Sequence, residues 1–375
     1  MQIGIVGLPN STKTTVFNAL TRSQVETSTF SSGQLETHAA VISVPDDRVD
    51  RLSKMFEPRK TTYACIQYND IGGLRVGIGR EGGLTGPLLN LLAQSDALLH
   101  VVRAFDDPRV AHPNGSVDPA RDLAALDFEF IFSDLVIVER RIERLEHDLA
   151  RKRGEYVERQ AAEDERALLE RVRAALETEK PVRDLDLTAQ EAKRLRGYQF
   201  LSEKPVLVML NVGDDGDIDP DHHISYQHSR SAVICLRGGL EMEIARLEPE
   251  EAELFRNEYG IEEPGLNRLI RASYHLLDLQ SFFSVGAEAV KKRTIRRGAS
   301  AVEAAGVIHS DLARGFIRAE VVSTEHLLEA GSLAEARRRG QLRLEGRDYA
   351  TGAGAIELKR TLRGVTVSVW DNLDL

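Results

Sequence analysis

The chain has 375 residues, 42% of them hydrophobic and 29% charged, with 49 Lys and Arg against 59 Asp and Glu for a net charge of −10. That length can bury a full core in two or three domains, and the composition excludes a disordered chain. The acidic total excludes a protein that coats nucleic acid non-specifically, so no DNA partner is expected, although a local basic patch is compatible with it.

In chain order, Gln2–Val6 reads as a strand, Gly7–Thr15 as a glycine-containing turn and Val16–Leu20 as the start of a helix. Residues 21–38 are polar and unpatterned and read as a loop. Ala39–Val44 is a strand, Asp47–Phe56 a short helix, and Thr61–Tyr68 a strand that runs into Asp70-Ile71-Gly72-Gly73-Leu74. A helix near Pro87–Gln94 and a buried strand at Ala97–Val102 follow. From Phe128 to Glu179 the pattern becomes helical. Leu135, Val138, Ile142, Leu145 and Leu149 form a heptad seam that Leu169, Val172 and Leu176 resume, as in a coiled-coil hairpin. Strands return at Pro205–Asn211 and Ala232–Leu236, and helices at Pro249–Glu258 and Leu266–Leu277. A small α+β unit then holds strands at Ser281–Val285, Phe316–Val322 and Gln341–Leu344 and helices at Ala301–Leu312 and Leu333–Arg339. The fold class is therefore α/β: a mostly parallel, P-loop GTPase-like sheet with an inserted helical hairpin and a small C-terminal domain. The boundaries are 1–127 with 200–279 for the nucleotide-binding domain, 128–199 for the insertion, 280–365 for the C-terminal domain and 366–375 for a tail.

Chemistry concentrates at three strand ends. Strand, turn, Lys13-Thr14 and helix is the layout of a phosphate-binding loop, whose N–H groups wrap phosphates at a helix N-terminus. Asn10, Ser11, Thr12, Lys13, Thr14 and Thr15 are its candidate nucleotide contacts. Lys13 would reach the β- and γ-phosphates, and the Thr14 hydroxyl would bind Mg²⁺. Asp70-x-x-Gly73 ends a later strand, where the carboxylate can hold Mg²⁺ through water and the Gly73 N–H can touch the γ-phosphate. Asn211-Val212-Gly213-Asp214 ends another, where a base-reading motif belongs. Each motif alone is ordinary turn chemistry. In this order, each at a carboxyl end, they satisfy the rule for ligand binding in open α/β sheets.

The chain resembles the YchF/Obg-like ATPases, a branch of the P-loop GTPases. The resemblance spans nearly the whole sequence, including GLPN at Gly7–Asn10, VPDDRVDRL at Val44–Leu52, DIGGL at Asp70–Leu74 and SDALLHVVRAFDDP at Ser95–Pro108. It continues through DPARDL at Asp118–Leu123, Gly265–Gly286 and Ala304–Val322, the last two resembling the family's C-terminal TGS domain. The resemblance implies Mg²⁺-dependent hydrolysis of ATP in preference to GTP, with the ribosome or its RNA as partner through the coiled coil and TGS-like domain. It also implies a hydrophobic residue, Leu74, where many GTPases carry a catalytic Gln, and a monovalent cation near Asn10.

The chain departs from the family in the phosphate loop, in switch I, at the end of the base motif and in its last part, Ala350–Leu375. Ser11-Thr12 stands where the family has Val-Gly, and a β-branched residue is poorly suited to the backbone that Gly allows there. Switch I is rewritten as Thr29–His38, with Gln34 in place of the Mg²⁺-binding Thr and Thr37 the nearest substitute. The base motif ends in Asp214 rather than the family's Glu, while Val212, where guanine-specific relatives have Lys, agrees with the family, which also lacks that Lys. The alternative to an ATPase is thus a weakly binding, non-hydrolysing interaction module, or a GTPase.

Other features are weaker. Gly77-x-Gly79-x-x-Gly82 matches a dinucleotide pattern but does not directly follow a strand. The ten histidines, His222-His223 included, show no metal-ligand spacing. The basic runs Arg151-Lys152-Arg153, Lys291-Lys292-Arg293 with Arg296-Arg297, and Arg337-Arg338-Arg339 are either solvated faces or contacts to RNA phosphates. Cys65 and Cys235 form no disulfide framework and no CxxC pair, as suits a reducing cytoplasm. The start MQIGIVGLPN does not read as a signal peptide, and no run of about 18 apolar residues marks a membrane span.

Overall fold

The computed structural model describes residues 1–21, 37–72, 74, 86–151, 156–261, 263–286 and 288–350. They fall into two compact units, Met1–Val41 with Gln67–Leu269, and Ile42–Ile66 with Ile270–Leu375. Residues 42–66, read from the sequence as part of the nucleotide-binding domain, thus pack with the C-terminal part of the chain.

The first unit is built on a six-stranded sheet of order β2-β4-β1-β5-β6-β7. These strands are β1 (Gln2–Val6), β2 (Thr37–Ser43), β4 (Cys65–Ile71), β5 (Ala97–Arg103), β6 (Val206–Asn211) and β7 (Ser231–Leu236), with the short β3 (Lys60–Thr62) outside the sheet. The pairs β1/β4, β1/β5, β5/β6 and β6/β7 are parallel. β5 and β6 are buried along their whole length, which is why they read as continuous apolar runs. The register sets Ile5 opposite Asp70, Val6 opposite His100 and Arg103 opposite Asn211. The carboxyl ends that carry the three motifs, those of β4, β1 and β6, therefore lie along one edge of the sheet, with β5 between β1 and β6. Helices α1 (Lys13–Thr21), α2 (Asp47–Phe56) and α3 (Gly86–Gln94) follow β1, β2 and β4 in the chain.

The insertion is a helical hairpin of α4 (Pro119–Ala150) and α5 (Tyr156–Glu177). Val138, Ile142, Leu145, Leu169, Val172 and Leu176 are buried in its seam, with Leu135 packed at the edge. α4 begins nine residues before the position read from the periodicity, because Asp118 caps it, accepting from the Arg121 N–H at 3.0 Å, and Pro119 opens its first turn. At its base the buried Asp134 carboxylate accepts from Leu201 N at 2.9 Å and Ser202 N at 2.7 Å. α6 (Ala189–Leu195) carries a capping box of Thr188 and Glu191. After β7 come α7 (Gly238–Arg246), which the sequence did not signal, then α8 (Pro249–Glu258) and α9 (Gly265–Leu276).

In the second unit β8 (Leu279–Ser284) and β9 (Ala289–Arg296) pair antiparallel, and β3 joins β9 in parallel. α10 (Ala301–Ile308), α11 (Ser310–Arg314), β10 (Ala319–Val321), α12 (Thr324–Ala330), α13 (Leu333–Arg338) and β11 (Arg343–Glu345) follow among the described residues. Phe282, Phe283, Val290, Ala304, Val321 and Leu327 form its core with Val49 and Leu52 of α2. The helix read as 301–312 is two helices, because His309 is extended and its Nδ1 accepts from Asp311 N to cap the second. The basic run on β9 is divided: Lys292 is buried and bonded to Asp46 at 2.8 Å, so it is unavailable to an RNA partner. Arg337 pairs with Glu320, and Arg338 and Arg339 with Glu335. Among the described residues no helix is long and apolar enough to cross a membrane.

Candidate nucleotide site

The loop between β1 and α1 has the backbone of a phosphate cradle. Gly7 is required by close approach, since a Cβ there would lie 2.4 Å from Val101 O and 2.7 Å from Ser11 Oγ. Asn10 adopts φ 60°, a conformation Asn tolerates, and its Nδ2 donates to Ala111 O at 3.1 Å. Thr12 adopts φ 71°. It therefore holds the left-handed turn that Gly would take, at a cost of about 1–3 kcal/mol for a β-branched residue. The first-turn N–H groups of α1 have no acceptors within the helix and form an electropositive end.

Lys13 is buried and donates from Nζ to Leu8 O at 2.7 Å. Burial lowers its pKa to about 8, and the neighbouring Asp70 opposes that fall. Thr14 Oγ1 donates to Asp70 Oδ2 at 3.0 Å. Among the described residues, Asp70 Oδ1 is buried without a partner, as are Ser11 Oγ and His100 Nδ1. Burial raises the Asp70 pKa against the Thr14 hydrogen bond and the Lys13 charge, and desolvation pushes His100 down to about 3, which keeps it neutral. A hydroxyl and a carboxylate in contact, with one carboxylate oxygen unused, form a donor set that fits Mg²⁺, an oxygen-seeking ion that shares its shell with phosphate and water. Among the described residues there is no group of three or more His, Cys, Asp or Glu that could hold a metal by itself.

At the other end, Asn211 is 2% exposed and uses both ends of its amide. Oδ1 accepts from Gly238 N at 2.9 Å, and Nδ2 donates to Thr12 Oγ1 at 2.8 Å. Asp214 is exposed and accepts from Leu240 N at 3.2 Å. Val212 lies in the apolar core, and its N–H donates to Leu236 O, so its side chain faces away from solvent. Leu74 is also a core residue, 1% exposed, with its N–H on Gly7 O at 3.1 Å. Its side chain brings no polar group to the site; its place is under the phosphate loop. Thr15, on the first turn of α1, is half-buried. Gly73, Gln34 and the Gly77–Gly82 stretch lie outside the described residues, as does the side chain of Thr37.

Two contributors escaped the sequence reading. Arg103, 2% exposed, donates to the carbonyls of Phe105, Asp107 and Val110 and lies over the Phe105 ring, which shapes the loop that brings Ala111 to Asn10. His100 sits on the middle of the sheet within the electrostatic reach of Lys13. Their only signal was a polar residue inside the apolar run ALLHVVR.

Known proteins share this organisation. Residues 2–138 match the family model described as a 50S ribosome-binding GTPase, and residues 279–361 match that of the YchF GTPase C-terminal domain, described as a protein of unknown function. The chain is 37% identical to the ribosome-binding ATPase YchF of Bacillus subtilis over 362 residues, covering 94% of this chain and 97% of the relative. It is likewise 37% identical to the protein of that name from Escherichia coli O157:H7, at 94% and 97% coverage. The structure of the Schizosaccharomyces pombe YchF GTPase superposes with a TM-score of 0.78 at 28% identity, over 96% of this chain and 97% of that one. A sheet of this topology, a phosphate loop, a helical insertion and a YchF-type C-terminal domain, with such identity over such coverage, establish that the chain belongs to the YchF family.

Proposed function

We propose that this protein is a Mg²⁺-dependent nucleoside triphosphatase that favours ATP over GTP and works with the ribosome in the cytoplasm. The observation that carries the reading is the Thr14–Asp70 pair at 3.0 Å, beside a buried lysine and with one Asp70 oxygen unpartnered among the described residues. Lys13 binds the phosphates, Thr14 and Asp70 hold the ion, and Gly73 contributes its N–H. Bound there, Mg²⁺ supplies positive charge that offsets the phosphate oxygens. With the apolar Leu74 where other enzymes carry a polar group, the chain's own contribution is positioning and fixed charge. Asp214, with Asn211 behind it, borders the base. The absence of a lysine at position 212 and the names of the relatives support ATP. The helical hairpin and the C-terminal unit are the surfaces proposed for the ribosome.

The strained Thr12 favours a second reading, a nucleotide-binding module with little turnover. Titrating ATP, GTP and ADP into the protein with and without Mg²⁺ tests the first step common to both. The proposal expects ATP to bind more tightly than GTP and Mg²⁺ to strengthen binding. Failure to bind any of the three would remove both readings.

A further inference from the structure

Three loops converge on one side chain. Asn211 holds the start of α7 through the Gly238 N–H and the phosphate loop through Thr12 Oγ1. Gly238 makes room for it, because a Cβ there would fall 2.9 Å from Asn211 Nδ2. The Thr12 hydroxyl works in both directions: its hydrogen goes to Ser11 O, and it accepts from Asn211. A glycine at position 12 would need no such support, since it adopts positive φ freely, but it could not make this bond. Threonine can make it, and needs it, because its backbone is held at φ 71° against its preference.

We propose that Thr12 is a positioning residue that couples the two ends of the nucleotide site: its hydroxyl bond to Asn211 holds the strained phosphate loop in the form that binds. Without that bond the loop relaxes toward negative φ, the binding-competent fraction falls, and apparent affinity falls in proportion. The proposal rests on the nucleotide-binding reading above and adds that affinity depends on a side-chain tie spanning 199 residues of sequence.

The test compares Thr12→Val, Thr12→Ser and Thr12→Gly by titration with N-methylanthraniloyl-ADP and Mg²⁺, alongside thermal unfolding. Thr12→Val keeps the β-branch and loses the hydroxyl, so it should bind roughly 10-fold more weakly than the unsubstituted protein. Thr12→Ser keeps the hydroxyl and recovers most of that loss. Thr12→Gly also recovers it, by removing the strain. In a double-mutant cycle, Asn211→Ala costs less affinity on the Gly background than on the Thr background. Should Thr12→Val fail to fold, Thr12→Ala carries the same comparison. Thr12→Val (or Thr12→Ala in its place) binding as tightly as Thr12→Ser, Thr12→Gly binding as weakly as Thr12→Val, or an additive cycle overturns the proposal while leaving nucleotide binding intact. Absence of binding by the unsubstituted protein overturns both.

Discussion

Asp70 is buried, yet only one of its two oxygens has a partner among the described residues. An orphaned buried carboxylate oxygen is costly, and it is tolerated where a ligand completes it. Asp70→Asn keeps the shape and the acceptor for Thr14 while removing the charge. Turnover should fall by about 10²-fold or more, with the Mg²⁺ requirement shifted to higher concentration. Phosphate release measured across a Mg²⁺ series checks this, and an unchanged Mg²⁺ response would argue against ion binding at Asp70. Arg103 makes a different prediction, since it holds three carbonyls from a buried position. Arg103→Leu should cost on the order of 2–4 kcal/mol in urea unfolding, because those carbonyls lose their donors together. At this scale the sequence was legible in part. The motif marks position 12 as a glycine site, so the strained Thr12 could be anticipated. Its bond to Asn211 could not, because no local pattern joins residues so far apart in the chain. Val212 and Leu74 face the core for a similar reason: a motif names a position, while packing decides which way the side chain points.

The helical hairpin was the most legible element, since its seam is written in a period of 3.5 residues and depends on neighbours three and four places apart. β9 and α12 were missed for opposite reasons. Strand β9 contains Lys291, Lys292 and Arg293, whose charge hides a short alternation that buries Val290 and Lys292, broken before the buried Ile295. α12 is a single short stretch, Thr324–Ala330, too brief to show a period. Within the hairpin, stability should come from the seam and not from its ion pairs. Leu169→Ala, at 0% exposure, should cost about 2–5 kcal/mol. The part-exposed Arg141–Glu165 pair should contribute less than about 1 kcal/mol. Chemical unfolding of Leu169→Ala and Arg141→Ala compares them directly. Asp134 adds a pH signature. Burial raises its pKa from 3.8 to about 7, against the hydrogen bonds from Ser202 and Leu201. The folded form then binds more protons than the unfolded form across that interval, so this group's contribution to stability falls as pH rises from 3.8 toward 7. The stability advantage of the unsubstituted protein over Asp134→Asn should narrow between pH 5 and pH 7.5, roughly the upper half of that window. A difference that widens would contradict the assignment.

Across the whole molecule, the order of motifs at strand ends disclosed the topology, because ligands in open α/β sheets gather at the carboxyl edge. The extent of the two units was less legible, since residues 42–66 join the C-terminal part through packing between distant segments, such as Val49 and Leu52 against the second core. Ribosome association, as proposed, should be salt-sensitive in co-sedimentation and weaken when Arg337, Arg338 and Arg339 are neutralised together, although Glu320 and Glu335 already offset part of their charge. Unchanged binding would move the contact to another surface. The most direct measurement is steady-state phosphate release from ATP and GTP, with and without Mg²⁺, by the unsubstituted protein and by Lys13→Ala. Mg²⁺-dependent turnover of ATP above that of GTP, lost in Lys13→Ala, is the predicted result. ATP that binds without turnover, or turnover that survives Lys13→Ala, would contradict it.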